Sequence, residues 1–328
     1  MIFKVKPTRV YRSYYGGGNL DIMNGKCAAK NDRFPEDWLC SVTRAFNPGR
    51  NVENEGLSVV DDGRYLIDII NENKHEMLGN SKCMSLLFKL LDSAERLVIQ
   101  VHPTNEFARK YFNSNFGKTE SWYILNDGGY VYIGFKPDIT KEYFKELFDK
   151  QDISAMLECL HKFDVHKGDI IFVAGGVPHA IGAGCFLAEL QEPTDLMVIP
   201  ERITPSGIVL ADEKLHGGLG FEKMFDCFCF EGADREETYK KYVKKPVQVN
   251  ENEKEIINTA MTDKFSLSEI YVKGNYVKHI NNYAIVLVLE GSGECNEVKL
   301  KEYDRFFVPF GEKILNFNGN MRVLICRS

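Results

Sequence analysis

A pattern that occurs twice in the chain constrains its fold more than any other feature of the sequence. Each copy has a run of bulky residues, 170–173 or 305–308, followed by a turn that contains glycine. The aligned positions are Gly168, Ala174, Gly176 and His179 in the first copy and Tyr303, Pro309, Gly311 and Ile314 in the second. A strand that leads into a tight turn, repeated in both halves of the chain, predicts two related β units.

Both copies resemble the second half of the cupin motif, G-x5-P-x-G-x2-H. Cupins are antiparallel jelly rolls, and the many short apolar runs between Gly-rich turns favour the same class. One turn signal, Asn126–Gly129, predicts a hairpin between two such strands. The expected fold is therefore mainly β, with two cupin-type jelly-roll barrels. Because only the first copy keeps its histidine, the C-terminal barrel is expected to lack metal ligands.

Length and charge pattern predict how the chain is divided. A chain of 328 residues favours about two domains. A charged segment over residues 240–255 is the expected linker. We therefore expect a metal-binding cupin domain over 1–240 and a C-terminal cupin-like barrel over 250–328. Apolar residues at helical spacing predict a helical insert in the first domain, at about 138–163.

Composition and charge exclude several classes of protein. The formal net charge of -6 argues against a nucleic-acid-binding surface over the whole chain. No apolar run approaches the roughly 20 residues of a membrane-spanning helix, and the first residues lack the apolar stretch of a secretory signal. The nine cysteines are odd in number and contain no C-x-x-C pair, which fits reduced thiols. We expect a cytoplasmic protein that acts on a small molecule and binds neither nucleic acid nor a membrane.

Four residues in the first half have side chains that suit a metal ion. Gln100 and His102 lie two apart on a predicted strand over 96–102, where they share a face. Glu120 opens the next strand, and His179 follows the glycine turn of the first cupin-like copy. Two imidazoles and a carboxylate, with an amide oxygen as a weaker ligand, suit one Zn²⁺ with an open position. Divalent Fe or Mn also accepts such a nitrogen and oxygen set.

Several motifs in this order resemble type I mannose-6-phosphate isomerases, short bacterial members of the cupin superfamily. They are Ile99-Gln-Val-His-Pro103, Gly117-Lys-Thr-Glu-Ser-Trp-Tyr-Ile124, Val177-Pro-His-Ala-Ile181 and Glu189-Leu-Gln191. That family binds zinc through Gln, His, Glu and His, and the matching positions are the four residues above. The resemblance implies a metal-dependent aldose–ketose isomerase that interconverts mannose 6-phosphate and fructose 6-phosphate through a cis-enediol.

The resemblance also implies catalytic residues, with one departure. Glu189 matches an active-site carboxylate, and Lys118 is expected to face the substrate and supply positive charge. The family has an arginine four residues after the aspartate that matches Asp195, but Ile199 stands at that position. Arg202 is the nearest cation along the chain and is the predicted substitute.

Three other functions compete with this interpretation. A shifted substrate would make the protein an isomerase of a different sugar phosphate. The loss of the usual arginine favours a metal-holding cupin that binds a sugar without turnover. Retention of Lys118 and Glu189 favours an enzyme, since a simple binding protein has little need of both. An iron-dependent cupin oxygenase fits less well, because Gln100 is a poor ligand for that chemistry.

Overall fold

The computed structural model describes residues 1–26, 29–47, 49–50 and 52–328, and over these ranges the protein is mainly β. The strands are β1 (Phe3–Lys4), β2 (Arg9–Val10), β3 (Glu36–Leu39), β4 (Leu87–Asp92), β5 (Glu120–Ile124), β6 (Gly129–Phe135), β7 (Leu160–Val165), β8 (Ile170–Val173), β9 (His179–Ile181), β10 (Phe186–Gln191), β11 (Val243–Lys244), β12 (Val247–Asn250), β13 (Glu253–Ile257), β14 (Ser266–His279), β15 (Ala284–Cys295), β16 (Val298–Lys301), β17 (Arg305–Val308) and β18 (Ile314–Arg327). The α-helices are α1 (Asn19–Met23), α2 (Leu66–Glu72), α3 (Lys74–Leu78), α4 (Asn105–Tyr111), α5 (Lys141–Lys150), α6 (Ile153–Glu158), α7 (Asp212–His216), α8 (Phe221–Met224) and α9 (Arg235–Tyr242). The expected mainly β class is confirmed.

The strands form three antiparallel sheets. A seven-stranded sheet has the order β11-β8-β5-β10-β4-β3-β2, and a three-stranded sheet has the order β7-β6-β9. The third sheet runs β1-β17-β15-β18-β14-β13-β12, with β16 attached to β15. Its long strands β14 and β18 pair from Ser266 opposite Arg327 to His279 opposite Ile314. The N-terminal strand β1 therefore completes a sheet that is otherwise C-terminal.

The seven-stranded sheet is covered on both faces. Trp122 of β5 packs in one hydrophobic core with Val131 of the three-stranded sheet. Its neighbour Tyr123 points to the opposite face and packs in a second core that includes Leu324 of the C-terminal sheet. Successive side chains of a strand point to opposite faces, so a doubly covered strand reads as a continuous apolar run. The three sheets thus form three layers, with the seven-stranded sheet in the middle.

A buried ion pair joins the middle layer to the C-terminal sheet. The Arg305 guanidinium of β17 donates to one carboxylate oxygen of Asp37 in β3, and both side chains are buried. The other oxygen of Asp37 accepts from the Thr8 backbone N–H at 2.8 Å. The pair therefore links two sheets whose sequences lie far apart in the chain.

Replacement of Arg305 by alanine is expected to destabilise the protein by about 3–5 kcal/mol, because removing one partner leaves a buried carboxylate without its counter-charge. Urea unfolding followed by circular dichroism measures the change. Arg64→Ala is the matched control, since Arg64 pairs with Asp62 on the exposed surface and such pairs contribute little. Equal unfolding midpoints for the two variants would contradict a stabilising role of the Arg305–Asp37 pair.

Two predicted elements differ from the structure. Residues 96–102 form no strand, and instead Gln100 and Val101 make isolated bridges to His179 and Val198. The turn at Asn126–Gly129 joins β5 to β6, which lie in different sheets, so the predicted hairpin is wrong. The hairpin is absent because both edges of β5 are already hydrogen-bonded, to β8 and to β10. The next strand in sequence, β6, therefore does not pair with it.

The helical insert and the linker are more structured than their patterns indicate. The predicted insert at about 138–163 contains α5 and α6, and its last residues lie in β7. The charged segment over 240–255 holds the end of α9 and three short strands, and the chain passes between sheets from Lys244 to Val247. The domain boundaries 1–240 and 250–328 stay a prediction.

Among the described helices, none is both long and apolar enough to cross a membrane.

Candidate metal centre

Close packing of two glycine turns brings the site segments together. Pro103, directly after His102, accepts a hydrogen bond from the Lys118 backbone N–H at 3.0 Å. The His102 carbonyl accepts from the Gly176 N–H at 2.7 Å. A Cβ at Gly175 would come within 2.8 Å of the Pro103 carbonyl oxygen, so only glycine allows this approach. The chain on either side of His102 is thereby held against the turns that carry Lys118 and His179.

The backbone of Gln100 is paired directly with that of His179. The Gln100 N–H donates to the His179 carbonyl at 2.9 Å, and the His179 N–H donates back at 3.0 Å. Residues that exchange both bonds in an antiparallel pair place their side chains on the same face. Gln100 and His179 therefore present their side chains to the same side. This isolated bridge positions the Gln100 side chain, which the predicted strand over 96–102 was expected to do.

Three buried side chains converge on one point. The candidate ligand atoms of His102, Glu120 and His179 all lie within 4.8 Å of one another. The Nε2 atoms of His102 and His179 lie 3.2 and 3.3 Å from the two oxygens of Glu120. Each of the three side chains is at most 2% exposed. Within the described ranges, this is the one group of three or more His, Cys, Asp or Glu residues arranged to hold a metal ion.

Backbone carbonyls set the tautomer of both histidines. The Nδ1–H of His102 donates to the Leu196 carbonyl at 3.0 Å, and that of His179 donates to the Val177 carbonyl at 2.9 Å. A carbonyl oxygen can only accept, so Nδ1 carries the proton and Nε2 keeps its lone pair. An imidazole held through Nδ1 in this way is oriented as a metal ligand. The Nε2 lone pairs face Glu120.

The donor set fits a divalent cation. Oε2 of Glu120 and Nε2 of His179 are buried, and neither has a hydrogen-bond partner among the described residues. Burial, reinforced by the nearby Lys118 charge, lowers the pKa of His102 to about 3, so this ring is neutral as a ligand must be. A buried Nε2 of His179 without a donor, beside a carboxylate oxygen whose near neighbour is the Lys118 ammonium at 3.2 Å, is an environment that a cation would complete. The structure brings His102, Glu120 and His179 together in a group that could hold a metal ion, whereas metal binding itself and ligation by Gln100 stay predictions.

A pocket adjoins the three ligands. Gln100, Lys118 and Glu189 all line it, together with apolar side chains such as Leu97 and Ile181. The buried Lys118 ammonium donates to Nε2 of His102 at 2.9 Å and lies 3.2 Å from Oε2 of Glu120. The predicted catalytic residues Lys118 and Glu189 thus line one cavity, and Lys118 contacts the candidate metal ligands His102 and Glu120.

Glu189 has an environment that favours its protonated form. It lies on β10, buried, with its Oε1 3.2 Å from the Lys89 ammonium. Burial raises the pKa of Glu189 to about 8. The Lys89 charge lowers this pKa and the Glu120 charge raises it further. Lys89 shares its charge with Glu36, 3.6 Å away. A carboxyl group with a pKa near neutrality can both take up and release a proton.

The structure places Arg202 outside this pocket. Its guanidinium lies over the rings of Phe148 and Phe221, at 5.1 and 4.5 Å from their centroids, and pairs with Asp212 at 2.7 Å. Because these contacts hold the side chain against α5 and α8, Arg202 does not join the pocket-lining residues. The position of the side chain therefore does not support Arg202 as the substitute cation.

Four cations of the pocket were not predicted from the sequence, and two of them, Arg12 and Lys214, lie at Asp195 and on α7. Arg12 is buried and makes a bidentate contact with Asp195 at 3.1 and 3.2 Å, while its Nε donates to Glu36 at 2.9 Å. Lys214 of α7 lines the same pocket. Neither residue lies in a recognisable motif. Asp195 matches an aspartate of the family that the sequence resembles, and this match could have indicated a cation such as Arg12 nearby. The reason is that a buried aspartate requires a counter-charge.

Sequence comparisons point to one group of enzymes. No protein-family model matches the chain. It is 34% identical over 147 residues to the mannose-6-phosphate isomerase of Streptococcus mutans, covering 43% of this chain and 45% of that protein. It is 31% identical over 153 residues to the mannose-6-phosphate isomerase ManA of Bacillus subtilis, covering 43% and 45%. The chain spans about half the length of the curated relatives it matches.

Solved structures extend the likeness to the whole fold. The mannose 6-phosphate isomerase from Bacillus subtilis superimposes with a TM-score of 0.78 at 21% identity, covering 100% of this chain and 99% of that one. A mutant of phosphomannose isomerase from Salmonella typhimurium gives a TM-score of 0.73 at 16% identity, covering 100% of both chains. At this level of identity the match shows the fold. The predicted resemblance to this group is confirmed, by sequence over part of the chain and by fold throughout.

Proposed function

We propose that this protein is a metal-dependent aldose–ketose isomerase that interconverts mannose 6-phosphate and fructose 6-phosphate. The observation that carries the proposal is the buried His102–Glu120–His179 cluster. Two of its members contact Lys118, which lines a pocket together with Glu189. The names of the relatives support the choice of substrate, because both are mannose-6-phosphate isomerases.

We infer that Gln100 completes the ligand set, since its backbone pairing directs its side chain to the same face as that of His179. Two histidines, one carboxylate and one amide oxygen suit Zn²⁺, and Fe²⁺ or Mn²⁺ accepts the same donors. A divalent cation held there would supply Lewis-acid stabilisation of the negative charge that develops during enolisation.

The other residues of the pocket would handle charge and protons. The Lys118 ammonium lies among the ligands and would stabilise negative charge on the sugar oxygens. Glu189, with its raised pKa, would take the proton from C2 of mannose 6-phosphate and return it to C1 through the cis-enediol. The transfer needs one group that is basic in one step and acidic in the next, and a carboxyl titrating near neutral pH meets that need.

A coupled assay for fructose 6-phosphate formed from mannose 6-phosphate, with and without a chelator, tests the function. We expect turnover that a chelator abolishes and that added Zn²⁺, Mn²⁺ or Fe²⁺ restores. Protein that holds one metal ion per chain but forms no fructose 6-phosphate would overturn the proposal.

A sugar-binding protein without turnover is the second candidate. It is favoured by Ile199, an apolar residue that lines the pocket where the resemblance predicts an arginine. Calorimetric binding of mannose 6-phosphate in the absence of any turnover would identify it. Turnover of another sugar phosphate in the same assay would instead indicate a shifted substrate.

Arg202→Ala is expected to leave kcat and KM for mannose 6-phosphate within about twofold of the original values, since exposed pairs of this kind contribute little. The reason is that Arg202 contacts Phe148, Phe221 and Asp212 rather than the pocket. Steady-state kinetics of this variant measure the effect. A loss of turnover with the metal retained would restore Arg202 as the substitute cation.

A further inference from the structure

Lysine and arginine side chains outnumber carboxyl groups in the lining of the pocket. Four of its five cations each face a carboxylate, namely Arg12 with Asp195, Lys89 with Glu36, Arg96 with Glu201 and Lys118 with Glu120. These contacts lie between 2.6 and 3.6 Å. The charges of these four cations are partly compensated, and Lys118 lies against the candidate metal ligands His102 and Glu120 rather than toward the far end of a substrate.

Lys214 is the fifth cation and differs from the others. Among the described residues, its ammonium has no hydrogen-bond acceptor within reach and no ion-pair partner, although its side chain lines the pocket. Burial, together with the nearby Arg12 charge, lowers the pKa of Lys214. The carboxylates of Asp195 and Glu36 act in the opposite direction and do not cancel that effect. An ammonium in this position is therefore undercompensated, and a bound anion would relieve the imbalance.

The location of Lys214 separates it from the metal ligands. It also lines a neighbouring pocket with Phe46, Phe112 and Gly217, whereas Lys118 and Glu189 line only the first. Lys214 thus stands where the two pockets meet, away from the centre that would hold the reacting carbons. A substrate with its C1–C2 end at the metal ligands would extend its far end toward this lysine.

The backbone holds Lys214 beside an apolar wall. The Ile199 N–H donates to the carbonyl of Leu215, the next residue after Lys214, at 2.8 Å. Ile199 itself lines the pocket and offers no charge. Helix α7 therefore brings an ammonium next to the position at which the resemblance predicts an arginine.

We propose that Lys214 binds the phosphate group of the sugar phosphate and so determines that the substrate is phosphorylated. This inference rests on the proposed function. A phosphate dianion needs a cationic donor that no carboxylate already occupies, and a lysine ammonium binds phosphate as a point charge. Lys214 meets both conditions, and the cation that the resemblance led us to expect at Arg202 lies elsewhere.

The test compares phosphorylated and unphosphorylated ligands. For Lys214→Met we expect KM for mannose 6-phosphate to rise about 10- to 100-fold, the usual range for losing a charged hydrogen bond, with kcat less affected. Calorimetry should show the same loss of affinity for fructose 6-phosphate and no change for fructose. Lys214→Arg should keep most of the affinity because it keeps the charge. Lys240→Met, which removes an exposed lysine from α9, is the matched control.

Each outcome separates this inference from the proposed function. Unchanged affinity for fructose 6-phosphate in Lys214→Met would overturn the role of Lys214, whether or not the enzyme turns over. Equal losses for fructose and fructose 6-phosphate would also overturn it, since they would indicate a structural effect. An original protein that binds fructose 6-phosphate through Lys214 but lacks turnover would instead contradict the isomerase and leave the phosphate site supported.

Discussion

Replacement of His179 by alanine is expected to remove the bound metal and the isomerase activity together. His179 provides an Nε2 atom that is buried and lacks any hydrogen-bond donor in the described chain, so a cation is its only evident partner. With one imidazole lost, the site keeps a single histidine, one carboxylate and the weaker amide oxygen inferred at Gln100. We expect the rate to fall by about 10³-fold or more, since stabilisation of the developing oxyanion is usually among the largest catalytic contributions.

Metal content by elemental analysis and turnover in the coupled assay measure the two losses independently. His166→Ala is the matched control, because His166 is exposed and lies outside the site. The fold of His179→Ala should persist, since Lys118 still pairs with Glu120, and circular dichroism checks this. Full activity in a metal-free variant, or full metal occupancy after the substitution, would contradict the assignment of the centre.

The second large effect concerns Glu189. Glu189→Gln should retain the metal and bind substrate with little change in KM, while kcat falls about 10²- to 10⁴-fold, the range typical of general acid–base catalysis. The substitution preserves size, and Glu189 already favours its neutral form because burial raises its pKa to about 8. The local electrostatics therefore change little, and the loss is that of a group able to carry a proton.

Hydrogen exchange with solvent at C1 and C2 of the sugar provides the decisive readout. It should disappear in Glu189→Gln while metal content and KM persist. Glu146→Gln serves as the control, since Glu146 lies on the exposed face of α5 and pairs with Lys150. Proton exchange at the original rate in Glu189→Gln would assign the transfer to another group.

The sequence predicted the fold class and the metal ligands through different signals. The repeated strand-and-turn pattern was sufficient to indicate a mainly β chain. A strand followed by a tight turn can be recognised from a few consecutive residues, without knowledge of the rest of the fold. It could not indicate which strands pair. The turn at Asn126–Gly129 is local, but whether β6 joins β5 depends on partners elsewhere in the chain.

The segment 96–102 shows a second limit of local patterns. Leu97, Ile99 and Val101 alternate like a strand and are buried as expected. Ile99 and Val101 are buried in a core with side chains of α5 and α6, such as Phe144 and Met156, while strand pairing of the segment is reduced to isolated bridges. Alternation of apolar and polar residues indicates which side chains are buried. It does not show whether the backbone is hydrogen-bonded to a neighbouring strand.

The sequence by itself determined the candidate metal ligands His102, Glu120 and His179, because each belongs to a short motif whose residue types reveal its chemistry. Only the tertiary structure decided which cations of the pocket are free to bind an anion. Arg202 is close in sequence to the position of the missing arginine, but its guanidinium lies over two aromatic rings. Lys214 belongs to no recognised motif, yet it lines the pocket and is unpaired among the described residues. Charge compensation depends on distances through space, and those distances are set by packing between segments remote in sequence.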